Sequence, residues 1–241
     1  MAQRSTALVF AWMASVALAT ALALGFARDL AAQTPPSQRD LKIYAGLHAA
    51  AANGDVAEIE RLAAAGERLN LQDSNSRTPL HVAVYRKHHA AARALIRLGA
   101  NPNAFDAQRY DILTIAAVQN DVEMLNIALE GGASARNVTT FSDGTALGAA
   151  AHLGHAEIVR ILIAHKAPLD HVNGRGWTAL HEAVVLGNGG PNHVATVEAL
   201  VKAGADPDIK DRQGATPLTY ARQRKYYDMI KILEPARGRR S

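Results

Sequence analysis

The sequence of 241 residues contains no cysteine. Disulfides, thiolate metal sites and thiol nucleophiles are therefore all excluded. Export is not excluded, because an exported protein need not contain a disulfide. Aromatic residues are scarce, at 5% against 49% hydrophobic residues overall. Small apolar side chains, alanine above all, make up the difference, which predicts thin helices packed closely rather than a bulky central core. The phosphate loop G-x-x-x-x-G-K-[ST], the zinc motif H-E-x-x-H and the nucleophile elbow G-x-S-x-G are all missing. Net charge is missing from the body as well. The formal charge is +4, but setting aside Arg4, Arg28, Asp29, Arg237, Arg239 and Arg240 leaves 21 basic and 21 acidic side chains over residues 33–236. The sequence pI near 9.5 thus reflects the two ends. Composition makes no case for a nucleic-acid partner, which wants a basic patch on the folded surface.

Charge and hydropathy at the N-terminus follow a familiar order. Arg4 precedes an apolar run from Ala7 to Ala27, followed by Arg28, Asp29 and a polar segment containing proline. A positive start, an apolar core and small residues beyond it make a secretory signal peptide over residues 1–32. Ala23, Ala27 and Ala32 each offer a cleavage point, and the expected location is periplasmic or secreted. The run of 21 residues is also about long enough to span a membrane. An uncleaved anchor facing the periplasm is therefore the alternative, and a membrane is involved only if that helix is retained. Residues 33–39 read as a linker, and residues 235–241 as a solvated basic tail.

What the chain does have is internal repetition. Thr78-Pro79-Leu80-His81-Val82-Ala83 returns as Thr178-Ala179-Leu180-His181-Glu182-Ala183 and as Thr216-Pro217-Leu218-Thr219-Tyr220-Ala221. Weaker copies start at Ala45, Asp111 and Thr145, so the six starts are spaced by 33, 33, 34, 33 and 38 residues. In phase with them, Gly66, Gly99, Gly132 and Gly204 end amphipathic segments, where glycine can close a helix in the left-handed conformation. Lys166 takes that place in the fourth unit, which predicts a strained or shifted helix end. A period near 33 marks a solenoid, in which neighbouring units bury one another.

Turn, helix, turn, helix and extended loop, with T-P-L-H starts, make residues 40–234 resemble an ankyrin-repeat protein. The resemblance implies an all-α repeat solenoid of six stacked helix-turn-helix units with β-hairpin-like loops. It makes threonine the helix cap and proline a first-turn residue, and sets Leu80, Leu113, Leu147, Leu180 and Leu218 in one apolar column. Gly176 and Gly214 fall at the tight hairpin turns; Ser76, Arg109 and Asp143 replace that glycine elsewhere, which predicts looser turns there. His48, His81 and His181 share one register and, by resemblance, hydrogen-bond across adjacent loops as structural residues. His88 with His89, and His152 with His155, lack a third ligand nearby in sequence. No catalytic residue, metal or cofactor is expected.

The resemblance also implies that hairpin tips and first helices line a concave face that binds a protein. Residues just before each motif differ between units, among them Arg77, Tyr110 and Trp177. Tyr85 and Arg86 lie seven and eight places after a motif start, and Arg175 shares a tip with Trp177. Aromatic and arginine side chains dominate many interfaces, so Arg77, Tyr85, Arg86, Tyr110, Arg175 and Trp177 are the partner-binding candidates. The Gly187–Pro191 stretch coincides with the longer fifth spacing and reads as a flexible insertion between paired helices.

Overall fold

The computed structural model describes residues 33–140 and 142–236. The expected leader over residues 1–32 and the tail from Arg237 lie outside the described residues. A short helix, α1 (Gln38–Ile43), comes first. Six helix pairs follow: α2 (Gly46–Asn53) with α3 (Val56–Ala64), α4 (Pro79–Tyr85) with α5 (His89–Arg97), and α6 (Ile112–Val118) with α7 (Val122–Glu130). The others are α8 (Ala146–Leu153) with α9 (Ala156–Ala164), α10 (Ala179–Val185) with α11 (Pro191–Lys202), and α12 (Pro217–Gln223) with α13 (Tyr227–Leu233). A 3-10 turn at Glu234–Ala236 ends the described chain. Among the described residues there is no strand, only an isolated bridge between Thr139 and Gly144.

The first helix of each pair starts where the repeat predicts. Thr78, Asp111, Thr145 and Thr216 each accept from the backbone N–H three residues on, satisfying a donor that the helix cannot. Pro79 and Pro217 occupy the first turn, where no N–H is needed. The first unit has Ala45 at its cap; there Glu67 reaches back, and its carboxylate accepts from the Leu47 N–H at 2.8 Å.

First helices stack on first helices and second helices on second helices, giving an inner and an outer layer. Leu80, Leu113, Leu147 and Leu180 are fully buried, and Leu218 is 2% exposed. Ala83, Ala116, Ala150, Ala183 and Ala221 are at 0%. With only a methyl group at that register, the two helices of a pair approach closely, which explains the excess of alanine over aromatics.

Left-handed residues punctuate every unit. At the end of the outer helix, Gly66, Gly99, Gly132 and Gly204 have positive φ, and Lys166 joins them at +60°. Its N–H reaches the Ile163 carbonyl at 2.9 Å, just as the Gly99 N–H reaches Ile96, so the turn is strained and not shifted. The hairpin tips correct an expectation. Ser76, Arg109 and Asp143 take φ of +56°, +62° and +54°, alongside Gly176 and Gly214. The Ser76 and Arg109 turns close at 3.0 and 2.9 Å, against 2.8 and 3.0 Å for the glycines. They are as tight as the glycine turns, because hairpin hydrogen bonds and neighbouring units hold them there.

One further expectation changes and another is refined. The segment read as a linker is tied down, since Ser37 caps α1 through a reciprocal pair with Asp40, and the Thr34 carbonyl accepts from Arg77. In the fifth unit Gly187–Gly190 form the expected non-helical turn between the paired helices and only Pro191 of that stretch is helical, while the remaining added length extends the second helix of that unit. Its outer helix has 12 residues against nine in each of the four preceding units, and His193 Nε2 donates to the His152 carbonyl at 2.9 Å.

Lys166→Gly should raise stability. A non-glycine residue in the left-handed region costs about 1–2 kcal/mol, partly offset by the unfolded-state entropy that glycine adds. The expected net gain is roughly 0.5–1 kcal/mol, read as a higher urea midpoint; an unchanged or lower midpoint would contradict a strained turn.

Candidate functional site

The hairpins stand on single side chains. Asp73 Oδ1 accepts from the backbone N–H groups of Asn75 and Arg77 at 2.8 and 2.9 Å. Asp106 gathers Gln108 and Tyr110, Asn173 gathers Arg175 and Trp177, and Asp211 gathers Gln213 and Ala215, all between 2.9 and 3.1 Å. Short polar side chains favour such local turns. Adjacent tips are joined as well, through Ala107 N–H to the Asn75 carbonyl at 2.8 Å and Gly174 N–H to Ser142 at 2.8 Å.

The second carboxylate oxygen takes the large side chains that sequence had assigned to the binding surface. Tyr85 is 7% exposed, and its hydroxyl donates to Asp106 Oδ2 at 2.9 Å. Trp177 is 5% exposed, with its indole N–H directed at Asp211 Oδ2 at 3.3 Å. Tyr110 is buried too, and its carbonyl accepts from His81. Arg77 is the most enclosed. Its guanidinium bonds Asp73 at 2.7 Å, Asp40 at 2.9 Å and the Thr34 carbonyl at 3.0 Å. These four side chains are therefore scaffold. The residue before the cap closes its hairpin and packs against a neighbouring unit, so a large side chain there is drawn inward.

Electrostatics follow from this packing. Burial acts to raise the Asp73 carboxyl, but hydrogen bonds from Tyr44 and Arg77 outweigh it and hold it below its usual range. Burial and the Asp106 carboxylate push the Tyr85 hydroxyl upward. Tyr220, burying its ring and donating to Asp211 at 2.6 Å, is pushed up to about 12.

The histidines form two sets of ties. His48, His81 and His181 each direct Nε2 at a carbonyl of the next hairpin, on Arg77, Tyr110 and Ala215, at 2.9, 3.2 and 3.2 Å. A second set, not foreseen from sequence, links outer-helix starts backward. His88 reaches the Ala52 carbonyl at 3.0 Å and His155 reaches Ala117 at 2.9 Å. His89 points forward instead, to Asp121 at 2.9 Å. Neighbouring histidines thus serve different units, and among the described residues no group of three His, Asp or Glu is placed to hold a metal ion.

What remains accessible is the outer side of the hairpins and the last turn of each inner helix. Of the six candidates, Arg86 is exposed and Arg175 half-exposed. Phe105 and Val172, missed by the sequence reading, are 37% and 47% exposed. Each immediately precedes a buried hairpin Asp or Asn, and side chains alternate along an extended arm, so the position before a buried residue faces out. That alternation was the available signal. The Arg109 guanidinium lies 5.9 Å over the Phe105 ring.

One cleft opens on this side, lined by Gly144, Thr145, Gly148, His171, Asn173, Trp177 and Glu182 among others. Gly148 stands at the register of His81 and His181 and leaves that imidazole's space vacant. Glu182 projects toward it, accepting from the Asn173 amide at 2.8 Å and lying 3.8 Å from His152 Nδ1.

Comparison with known proteins agrees with this architecture. The family model for ankyrin repeats in three copies matches residues 47–136 and 113–211, and that for ankyrin repeats in many copies matches 190–234. The ankyrin repeat protein YahD of Escherichia coli (strain K12) is 34% identical over 76% of this chain and 92% of its own length. A solved ankyrin repeat domain from Acinetobacter baumannii superposes with a TM-score of 0.76 at 40% identity, covering 79% of this chain and 96% of that one. The ankyrin repeat protein EF0377 gives 0.73 at 30% identity, covering 78% and 96%.

The buried imidazoles make the stack sensitive to acid. Nδ1 of His81 accepts from the Thr78 N–H at 3.2 Å while Nε2–H donates to Tyr110, and His181 repeats this with Thr178 and Ala215. The bond accepted by Nδ1 requires the neutral ring, and burial holds the two groups below the usual imidazole range. The unfolded chain then binds more protons, so stability present at neutral pH is lost as pH falls through the unfolded value of about 6.5 toward the folded one. The urea midpoint should fall between about pH 7 and pH 5, each imidazole contributing at most about 1.4 kcal/mol per pH unit. His81→Gln with His181→Gln should lower the midpoint at neutral pH and flatten its pH dependence; an unaltered slope would show that these two rings do not carry it.

Proposed function

The chain belongs to the ankyrin-repeat family, and we propose that it works as an extracytoplasmic interaction module, holding a partner protein against its hairpin tips and inner helices. Ankyrin repeats generally mediate protein–protein interaction, and proteins built from them are typically non-enzymatic. The observation that carries the reading is a division of labour within each unit. The buried leucines and alanines of the inner helices repeat from unit to unit, while the accessible positions of one face do not. At the place eight residues into the motif stand Asn53, Arg86, Gln119, Leu153, Leu186 and Arg224. At the outward place before each hairpin Asp or Asn stand Gln72, Phe105, Val172 and Lys210. Exposed apolar residues at two such places supply the anchors that an interface needs.

The order Arg4, Ala7–Ala27 and polar sequence supports export. The same apolar run favours a second reading, a membrane-held structural subunit. Among the described residues no helix is long and apolar enough to cross a membrane, so an anchor would have to be that segment. N-terminal sequencing of the cellular protein should find a start between Leu24 and Gln33. Intact Met1 in the membrane fraction would select the anchored subunit, and intact Met1 in the soluble cytoplasm would refute export.

Phe105→Asp and Val172→Asp should each alter stability by no more than about 0.5 kcal/mol, as surface changes do. Each should weaken recovery of the partner from the extracytoplasmic fraction about tenfold or more, the equivalent of about 1.4 kcal/mol. Trp177→Ala should do the reverse, lowering the denaturation midpoint while the folded fraction keeps its affinity. Calorimetric titration with the folded fraction measured separately distinguishes them, and full affinity in both Asp variants would move the site elsewhere.

A further inference from the structure

The 21 bases and 21 acids of residues 33–236 are unevenly placed. On the accessible side of the hairpins and inner helices lie Arg86, Arg109, Arg175, Lys210, Arg212 and Arg224. The hairpin acids Asp73, Asp106 and Asp211 are turned inward onto backbone N–H groups. Asp143 is exposed, and the Glu182 side chain is only 13% exposed.

The outer helices present the opposite arrangement, with most of their cations ion-paired. Arg61 pairs with Glu58 at 2.7 Å, Arg93 with Glu123 at 3.1 Å, Lys202 with Glu198 at 2.7 Å, and Arg97 with Glu60. Among the described residues, Arg86, Arg109, Lys210, Arg212 and Arg224 form no ion pair. A neutral body thus carries a basic recognition face and an ion-paired back. Like charges left without counter-charges repel one another, and an anionic surface laid across them relieves that repulsion and gains attraction.

We propose that this face takes an acidic stretch of polypeptide, in which Asp and Glu side chains alternate with apolar ones; this rests on the interaction reading above. Five of the six cations are arginine, whose planar fork pairs bidentately with carboxylates. They are interleaved with exposed Phe105 and Val172 and half-buried Leu153 and Leu186, so charge and apolar contact alternate along the stack. Single-stranded nucleic acid would need aromatic platforms for its bases, and Phe105 is the one exposed aromatic among the described hairpin residues.

The test selects a random-sequence peptide display library on the full chain immobilised through its N-terminus. Recovered peptides should be enriched in Asp and Glu with apolar residues between, and rising salt should weaken them. Binding should fall at least tenfold to an R86E/R109E/R175E variant, and stay within twofold for an R93E/R160E variant on the outer helices. Neutral peptides that bind the inner face would overturn the acidic assignment while leaving the interaction module standing. Acidic peptides indifferent to the inner-face reversal would overturn it as well. So would an oligonucleotide, or vesicles of anionic lipid, binding more tightly than any peptide and losing that binding in the inner-face variant.

Discussion

Every unit of this molecule is too thin to bury its own core. An inner helix of seven or eight residues makes about two turns, and its leucine and alanine face has nowhere to go except onto the next pair. Isolated helices of that length are marginal in water, so stability resides in the interfaces between units. Those interfaces must also satisfy polar groups, because every hairpin and helix start brings backbone N–H and C=O groups to the junction. The imidazoles of His48, His81 and His181, the carboxylates of Asp73, Asp106 and Asp211, and the phenols of Tyr44, Tyr85 and Tyr220 do this across or beside the junctions. The polar ladders thus follow from the thinness of the unit.

The same constraint decides which residues are left for recognition. A chain with 5% aromatics commits Tyr85, Tyr110 and Trp177 to its interior, where a large flat ring excludes water and, at Tyr85 and Trp177, delivers a hydroxyl or indole N–H to a hairpin carboxylate. On the proposed reading, recognition falls instead to Phe105, to smaller apolar residues and to arginine. These occupy places where the backbone fixes a direction but no neighbour covers the side chain. Neutral overall composition coexists with a one-sided charge distribution because acids and bases meet on the outer helices and are separated by the hairpins.

The repeat phase made the helix pairs, the threonine caps and the leucine column readable, because each depends on residues close in sequence and recurring at a fixed interval. The direction of Trp177 and Arg77 was not readable in that way. Both hang on partners in other units, Asp211 for one and Asp40 for the other, and the twist of a hairpin decides which side of an extended arm faces in. The turns at Ser76, Arg109 and Asp143 defied local preference, since surrounding hydrogen bonds hold non-glycine residues in a left-handed conformation. Phe105 and Val172 could have been found by alternation from Asp106 and Asn173. The reversal of charge between the two faces needed exposure and ion pairing for each side chain.

On the proposed reading, one face, hairpins with inner helices, meets the partner and the outer helices do not. Site-specific photo-crosslinking of the cellular protein tests it most directly. A benzophenone amino acid would replace Arg86 or Gln213, exposed on that face in units two and six, or Arg160 or Lys202, exposed on outer helices. The same cross-linked protein should be recovered from both inner-face positions and from neither outer one. Cross-links formed from Arg160 and Lys202, with none from Arg86 or Gln213, would place the partner on the opposite side and contradict the account.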